Sequence, residues 1–177
     1  MPSLRQTLLD QPVLSRIRRN HGLEHATIHL LSQTHPRRSF IGRSDRLGFY
    51  IYGEVETSQL EEIIHEALDR LRNGEHQLAI HPNCGTNLVT SGLLASGASF
   101  IALMGSERQG WRNRLNRLPN AILLAMGALI LAQPLGLAAQ KHLTVQADPG
   151  DLEIIGIQRV GEEPRPIHRI ITSTSHG

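Results

Sequence analysis

From Val13 to Ser32 apolar residues recur at helical spacing, with Leu14, Ile17, Ile28 and Leu31 in phase. Residues 3–33 therefore read as helix, interrupted near Pro12, which suits a first turn, and stopped by His35-Pro36. A basic loop, Arg37 to Arg46, leads to a strand-like run, Gly48-Phe49-Tyr50-Ile51-Tyr52-Gly53. The next apolar series, Leu60, Ile63, Ile64, Ala67, Leu68 and Leu71, predicts a second helix. Ser58 and Glu61 form its capping box, and Asn73-Gly74 its end. Gln77 to Ile80 reads as a short strand before the turn His81-Pro82-Asn83-Cys84-Gly85-Thr86-Asn87. Near the C-terminus, His142 to Ala147, Leu152 to Val160 and Ile167 to Thr172 read as strands, with Asp148-Pro149-Gly150-Asp151 as a turn.

Between these blocks the pattern changes. No Asp, Glu, Lys or Arg occurs between Glu75 and Glu107, nor between Arg117 and Lys141. Leu88 to Gly105 and Ala121 to Ala139 are long enough to span a bilayer as a hairpin. Gly92, Ser96 and Ser99 on the first segment are expected to form a small-residue face. Ala121, Ala125, Ala128, Ala132 and Gly136 do the same on the second, and such faces let helices approach closely in lipid. The connecting loop, residues 106–118, carries Trp111 and four Arg and reads as an interfacial segment. Four basic residues also flank the hairpin outside (Arg70, Arg72, Lys141, Arg159), so charge balance alone does not orient it. Met1 to Asp10 is polar with no apolar region after it. That is unlike a signal peptide and favours a cytoplasmic N-terminal region.

Composition narrows the classes. With 40% hydrophobic and 19% charged residues in 177, bulk disorder is excluded. The single cysteine, Cys84, excludes an intramolecular disulfide framework and an all-cysteine zinc site within one chain. Seventeen of the 18 basic residues are Arg, yet no nucleic-acid-binding motif accompanies them, and no nucleic-acid partner is expected.

Ten histidines stand out, and three share one stripe. His21, His25 and His29 follow one another by four, advancing about 40° per step on a helix, and Glu24 lies within the same ~140° arc. Leu14, Ile17 and Ile28 project from this arc as well, so the stripe is expected to face the interior. There, imidazoles and a carboxylate need partners, and a metal ion serves. His21-x-x-Glu24-His25 also has the order H-x-x-E-H of inverted zincins, in which Glu is the general base. His81-x-x-Cys84 can present two further ligands from a tight turn. Cys84 precedes an expected helix N-terminus, which favours thiolate. His35, His65, His76, His142, His168 and His176 carry no pattern and read as surface or loop residues.

The strings N-H-G-L-E-H-A-T-I-H (Asn20 to His29) and H-P-N-C-G-T-N (His81 to Asn87) resemble the signature of an uncharacterised family of bacterial membrane proteins, a domain of unknown function. The resemblance covers the histidine helix, the Gly48 to Gly53 strand, the cysteine turn and the apolar hairpin. A second bacterial membrane family is similar in both motifs, with E-H-x-T-I-H and H-P-x-C-G-T, and its members are described as predicted metal-dependent enzymes. The resemblance implies a metal site built from Glu24, His25, His29, His81 and Cys84, and no substrate.

The expectation is an α+β protein: residues 1–86 as helices with short strands, 87–140 as an apolar, transmembrane hairpin, and 141–177 as a small antiparallel β segment. Its leading function is a hydrolase of the bacterial inner membrane that depends on a divalent transition metal, zinc by preference. His25, His29 and Cys84 are ligands, His21 or His81 or water takes the fourth place, and Glu24 is the base. The alternatives are a membrane-anchored scaffold or assembly factor with a structural metal, and an enzyme using Cys84 as nucleophile. Membrane lipid is the expected partner, and a homo-oligomer could form through the small-residue face or the C-terminal strands.

Overall fold

The computed structural model describes residue 9 and residues 11–104, 110–161 and 166–174. Helix α1 (Pro12–Thr34) begins with Pro12 in its first turn and ends where the His35 amide donates to the Leu31 carbonyl, as the Pro12 and His35-Pro36 signals predict. The part of the expected helix before residue 9 lies outside the described residues. Strands β1 (Ile41–Asp45) and β2 (Gly48–Tyr52) form a tight hairpin. Helix α2 (Thr57–Arg72) follows, then a 3-10 turn (His76–Ala79), helix α3 (Gly85–Leu103) and helix α4 (Gly110–Ala139). A π turn (Gln140–Thr144) precedes β3 (Glu153–Gly161) and β4 (Ile167–Ser173). The mixture of helices and antiparallel strands is the α+β class expected.

Two units result: residues up to His81 together with those from Lys141 onward, and residues 82–140. In the first, the four strands form one antiparallel sheet ordered β1-β2-β4-β3. The C-terminal strands thus complete the N-terminal sheet. Phe49 and Ile51 of β2 and Ile170 of β4 point to one face, where they meet Leu23 and Leu31 of α1 and Leu60, Ile64 and Leu71 of α2, all at most 1% exposed. Full burial of such side chains contributes about 1.5–3 kcal/mol each. Asn20 ties helix to sheet: its Nδ2 donates to the Asp45 carbonyl at 2.9 Å and its Oδ1 accepts from Thr172 Oγ1 at 2.7 Å. On the other face the Arg169 guanidinium lies 4.3 Å over the Tyr50 ring and 2.9 Å from Asp45. Partial burial pulls the Asp45 carboxyl up, but hydrogen bonds from Arg169 and the Leu47 amide outweigh it and hold the group below its ordinary range.

Several local expectations are corrected. Residues 41–45 of the expected basic loop are an edge strand whose register with β2 carries Arg43 opposite Tyr50. The α2 N-cap is Glu56, with no side-chain cap, so the Ser58 box is not used. Residues 76–79 form a 3-10 turn instead of a strand, because a tight turn after Gly74 brings Leu78 and Ala79 into the core. Residues 142–147 are not a strand either, since their backbone groups serve α1 in place of a ladder. The Gln146 amide donates to the Arg18 carbonyl, and the Val145 carbonyl accepts from the Arg18 guanidinium. Leu14 is 37% exposed, since the first turns of α1 extend past the core. His168, read as a surface residue, is fully buried on the core face of β4, where its Nε2 lies 3.1 Å from Thr57 Oγ1.

In the second unit, α3 and α4 pack along their length. Gly85–Leu103 and Trp111–Thr144 are long and apolar enough to cross a membrane. At 1.5 Å per residue, α3 spans about 28 Å, close to a hydrocarbon core. Ala121, Ala132 and Gly136 are buried on the α4 face predicted for them. The α3 face is different: Gly92 and Ser96 are exposed, and Thr90, Leu94, Ala95, Ala98 and Ser99 turn inward. The expected loop is shorter than residues 106–118, because α4 is already helical from Gly110; residues 106–109 lie outside the described residues.

Candidate metal centre

The middle of α1 is its buried part. From Asn20 to Leu31, only His21 and His29 escape full burial, and both are half-buried. Gly22 makes the approach of a second segment feasible, since a Cβ there would come within 2.6 Å of the Gln146 carbonyl oxygen. That closeness carries the Thr144 carbonyl to His21, whose Nδ1 lies 3.0 Å from it. One turn on, His25 Nδ1 lies 2.8 Å from the Ala79 carbonyl in the 3-10 turn. A carbonyl only accepts, so each bond places a ring proton on Nδ1 and gives Nε2 the lone pair. This is the arrangement in which a metal-ligating imidazole is oriented by a backbone carbonyl.

The two rings are 4.3 Å apart, edge to face at 68°, and His81 lies 6.0 Å from His25 by ring centroids. Desolvation, and then the charges of His25 and His29, lower the His81 pKa from its ordinary 6.5. Neutral imidazole, the ligating form, is thereby favoured at His81.

Glu24 is 4% exposed and turns towards β1, where a carboxylate oxygen accepts a short hydrogen bond from Ser44 Oγ. Gly42 makes the room: a Cβ there would lie 2.6 Å from Glu24 Cγ. Burial raises the Glu24 pKa, while the Ser44 bond and the charge of His21 pull it back in part.

Within the first unit the sequence-predicted residues His21, His25 and His81 come together, and His29 acts on His81 through its charge. In the second unit Cys84, three residues past His81, is the buried N-cap of α3, and its Sγ accepts from the Thr86 amide at 3.4 Å. Sequence reasoning did not find Ser44, Gly42 or the carbonyls of Ala79 and Thr144. Carbonyls leave no residue signature, and Gly42 differs from other glycines only through what it faces. Asn20 was within reach, as the residue directly preceding His21.

Residues 16–157 match a family described as "Domain of unknown function (DUF6391)". An uncharacterized protein of Picosynechococcus sp. is 34% identical over 183 residues, covering 95% of this chain and 81% of that protein. No solved structure matches the chain.

Proposed function

Since the chain belongs to the DUF6391 family, whose function is unknown, its own residues carry the reading: we propose a membrane-anchored, zinc-type metal-dependent hydrolase. The observation that supports it most is the pair of carbonyl-anchored imidazoles, His21 and His25, with rings 4.3 Å apart. Their Nε2 atoms offer two nitrogen donors, and this reading takes the Cys84 thiolate as a further ligand. Mixed imidazole and thiolate ligation suits Zn²⁺. His81 or substrate takes the fourth position. A bound ion supplies Lewis-acid polarisation. Glu24, whose carboxyl burial inclines to hold a proton, moves that proton during hydrolysis. The two long apolar helices support membrane anchorage.

One observation favours a second reading, a scaffold with a structural metal. Glu24 is bonded to Ser44 and closely faced by Gly42, so its carboxyl also serves to hold α1 on β1.

Metal content of detergent-purified protein separates these from a metal-independent Cys84 nucleophile. About one zinc per wild-type chain, lost in His25→Ala and in Cys84→Ala, is expected. No metal in any of the three, all folded, overturns the proposal. With metal bound, Glu24→Gln that keeps metal and fold but abolishes hydrolysis supports the enzyme. Unchanged hydrolysis in that variant removes Glu24 from the mechanism.

A further inference from the structure

Helix α4 is longer than a bilayer crossing needs, and its first turns differ from the rest. Residues 121–139 carry no charge, whereas Arg112, Arg114 and Arg117 all fall within residues 110–118. Pro119 separates the two parts. It has no amide to give the Leu115 carbonyl, so the helical ladder is weakened there, and the turns before it form an arm of about 14 Å.

On this arm Trp111, Leu115 and Leu118 recur at i, i+4 and i+7 and share an arc of about 60°. They are 67%, 51% and 44% exposed. Arg112 and Arg114 flank that stripe on its two sides, and Asn113 and Asn116 lie behind it. Arg117 ties the arm to the end of α3 by donating to the Met104 carbonyl at 2.7 Å, a bond that leaves its charge intact. The Arg112 guanidinium lies 5.8 Å from the centre of the Trp111 ring. Among the described residues none of the three arginines pairs with a carboxylate. Between residues 82 and 140 the sequence holds one acidic residue, Glu107, against four arginines, so Glu107 paired with any one of them still leaves the arm positive. An exposed apolar stripe rimmed by arginines and continuous with an apolar span is the pattern of a helix lying in the head-group layer.

We propose that the first turns of α4 are a docking surface for anionic phospholipid. Trp111, Leu115 and Leu118 enter the membrane interface, and Arg112 and Arg114 hold the phosphate-bearing head groups. The proposal rests on the membrane-anchored reading above and adds the class of lipid. The uncompensated guanidinium charge selects an anionic leaflet over a zwitterionic one, and the guanidinium fork matches phosphate oxygens.

Trp111 is the single tryptophan of the sequence, so its fluorescence reports on the arm alone. The test reconstitutes the full chain into vesicles of phosphatidylcholine, with and without phosphatidylglycerol. Quenching by phosphatidylglycerol brominated on its acyl chains is compared with quenching by brominated phosphatidylcholine at equal mole fraction. Blue-shifted emission is expected, quenched most by bromines near the head-group end of the chain. Apparent affinity for phosphatidylglycerol should exceed that for phosphatidylcholine, and should fall about fivefold in Arg112→Gln and in Arg114→Gln. Arg112→Lys, which keeps the charge, should retain the preference. Both glutamine variants should keep the wild-type circular dichroism. Equal quenching by the two lipids in wild type overturns the proposal, as does a phosphatidylglycerol preference that both glutamine variants keep. Solvent-like Trp111 emission from a chain that stays in the vesicles through an alkaline wash also overturns it, and leaves the anchored reading standing. A chain stripped from both kinds of vesicle by that wash removes the anchored reading and this proposal with it.

Discussion

At Gly42 the missing Cβ leaves the Glu24 carboxyl room beside Ser44. Gly42→Ala should lower stability by about 1–3 kcal/mol through overpacking, read as a fall in the thermal midpoint by circular dichroism. Gly97→Ala, where nothing lies within 4 Å of the added atom, is the control and should be neutral or better. A second prediction concerns acid. Burial, then the charge of Arg159, lowers the His168 pKa below its ordinary 6.5, with Glu56 opposing. The unfolded chain then binds the proton more readily, so stability falls as pH drops from 6.5 towards the folded-state value. His81 is shifted in the same direction and adds to the slope. His168→Gln, which can still bond Thr57, should flatten the dependence of thermal midpoint on pH below 6.5 without removing it. An unchanged slope would exclude His168 as its source. At this scale the metal-ligand candidates were legible because side-chain chemistry repeats every four residues along α1. Their partners were not, because Ala79 and Thr144 act through backbone oxygens far along the chain.

Elements were legible where one period dominates. The six apolar positions of α2 are its buried residues, and β3 and β4 lie within a residue of their predicted ends. Short segments between punctuating residues were not, since a four-residue run such as Gln77 to Ile80, with three apolar residues, fits a strand or a 3-10 turn equally well. The inward face of α3 was misread because small residues are common all round it, and only packing against α4 decides which are used. At the end of that packing Gly136 admits Asn87. A Cβ at 136 would lie 3.1 Å from Asn87 Cα and overlap its side-chain oxygen, which accepts from Gln140 Nε2 at 2.8 Å. Gly136→Val should therefore loosen the hairpin by about 1–3 kcal/mol, seen as faster proteolysis and a lower thermal midpoint in detergent. Gly127→Val, which meets open space, should change neither beyond the cost of a β-branched residue in a helix.

For the whole molecule, strands from both ends of the chain share one sheet, with Tyr50 opposite Arg169. Strands in one sheet lie on one side of any membrane the chain crosses, so the crossings between Tyr52 and Glu153 must be even in number. The two apolar helices satisfy this. In a Cys84→Ser background, cysteines placed at Arg46 and at Arg159 should be labelled by an impermeant maleimide from the same side. Labelling from opposite sides would exclude a two-span hairpin.

The β2–β4 pairing also sets an order of events during synthesis. When β2 leaves the ribosome, the strand that will cover its inner edge has not been translated, and the whole apolar hairpin must be made first. Until then β2 carries an unsatisfied edge, the kind of surface that recruits chaperones or other nascent chains. Chains stopped after Gln140 should therefore be degraded or aggregate despite containing every histidine and cysteine of the proposed centre. Co-expressing the missing C-terminal hairpin as a separate peptide should rescue them.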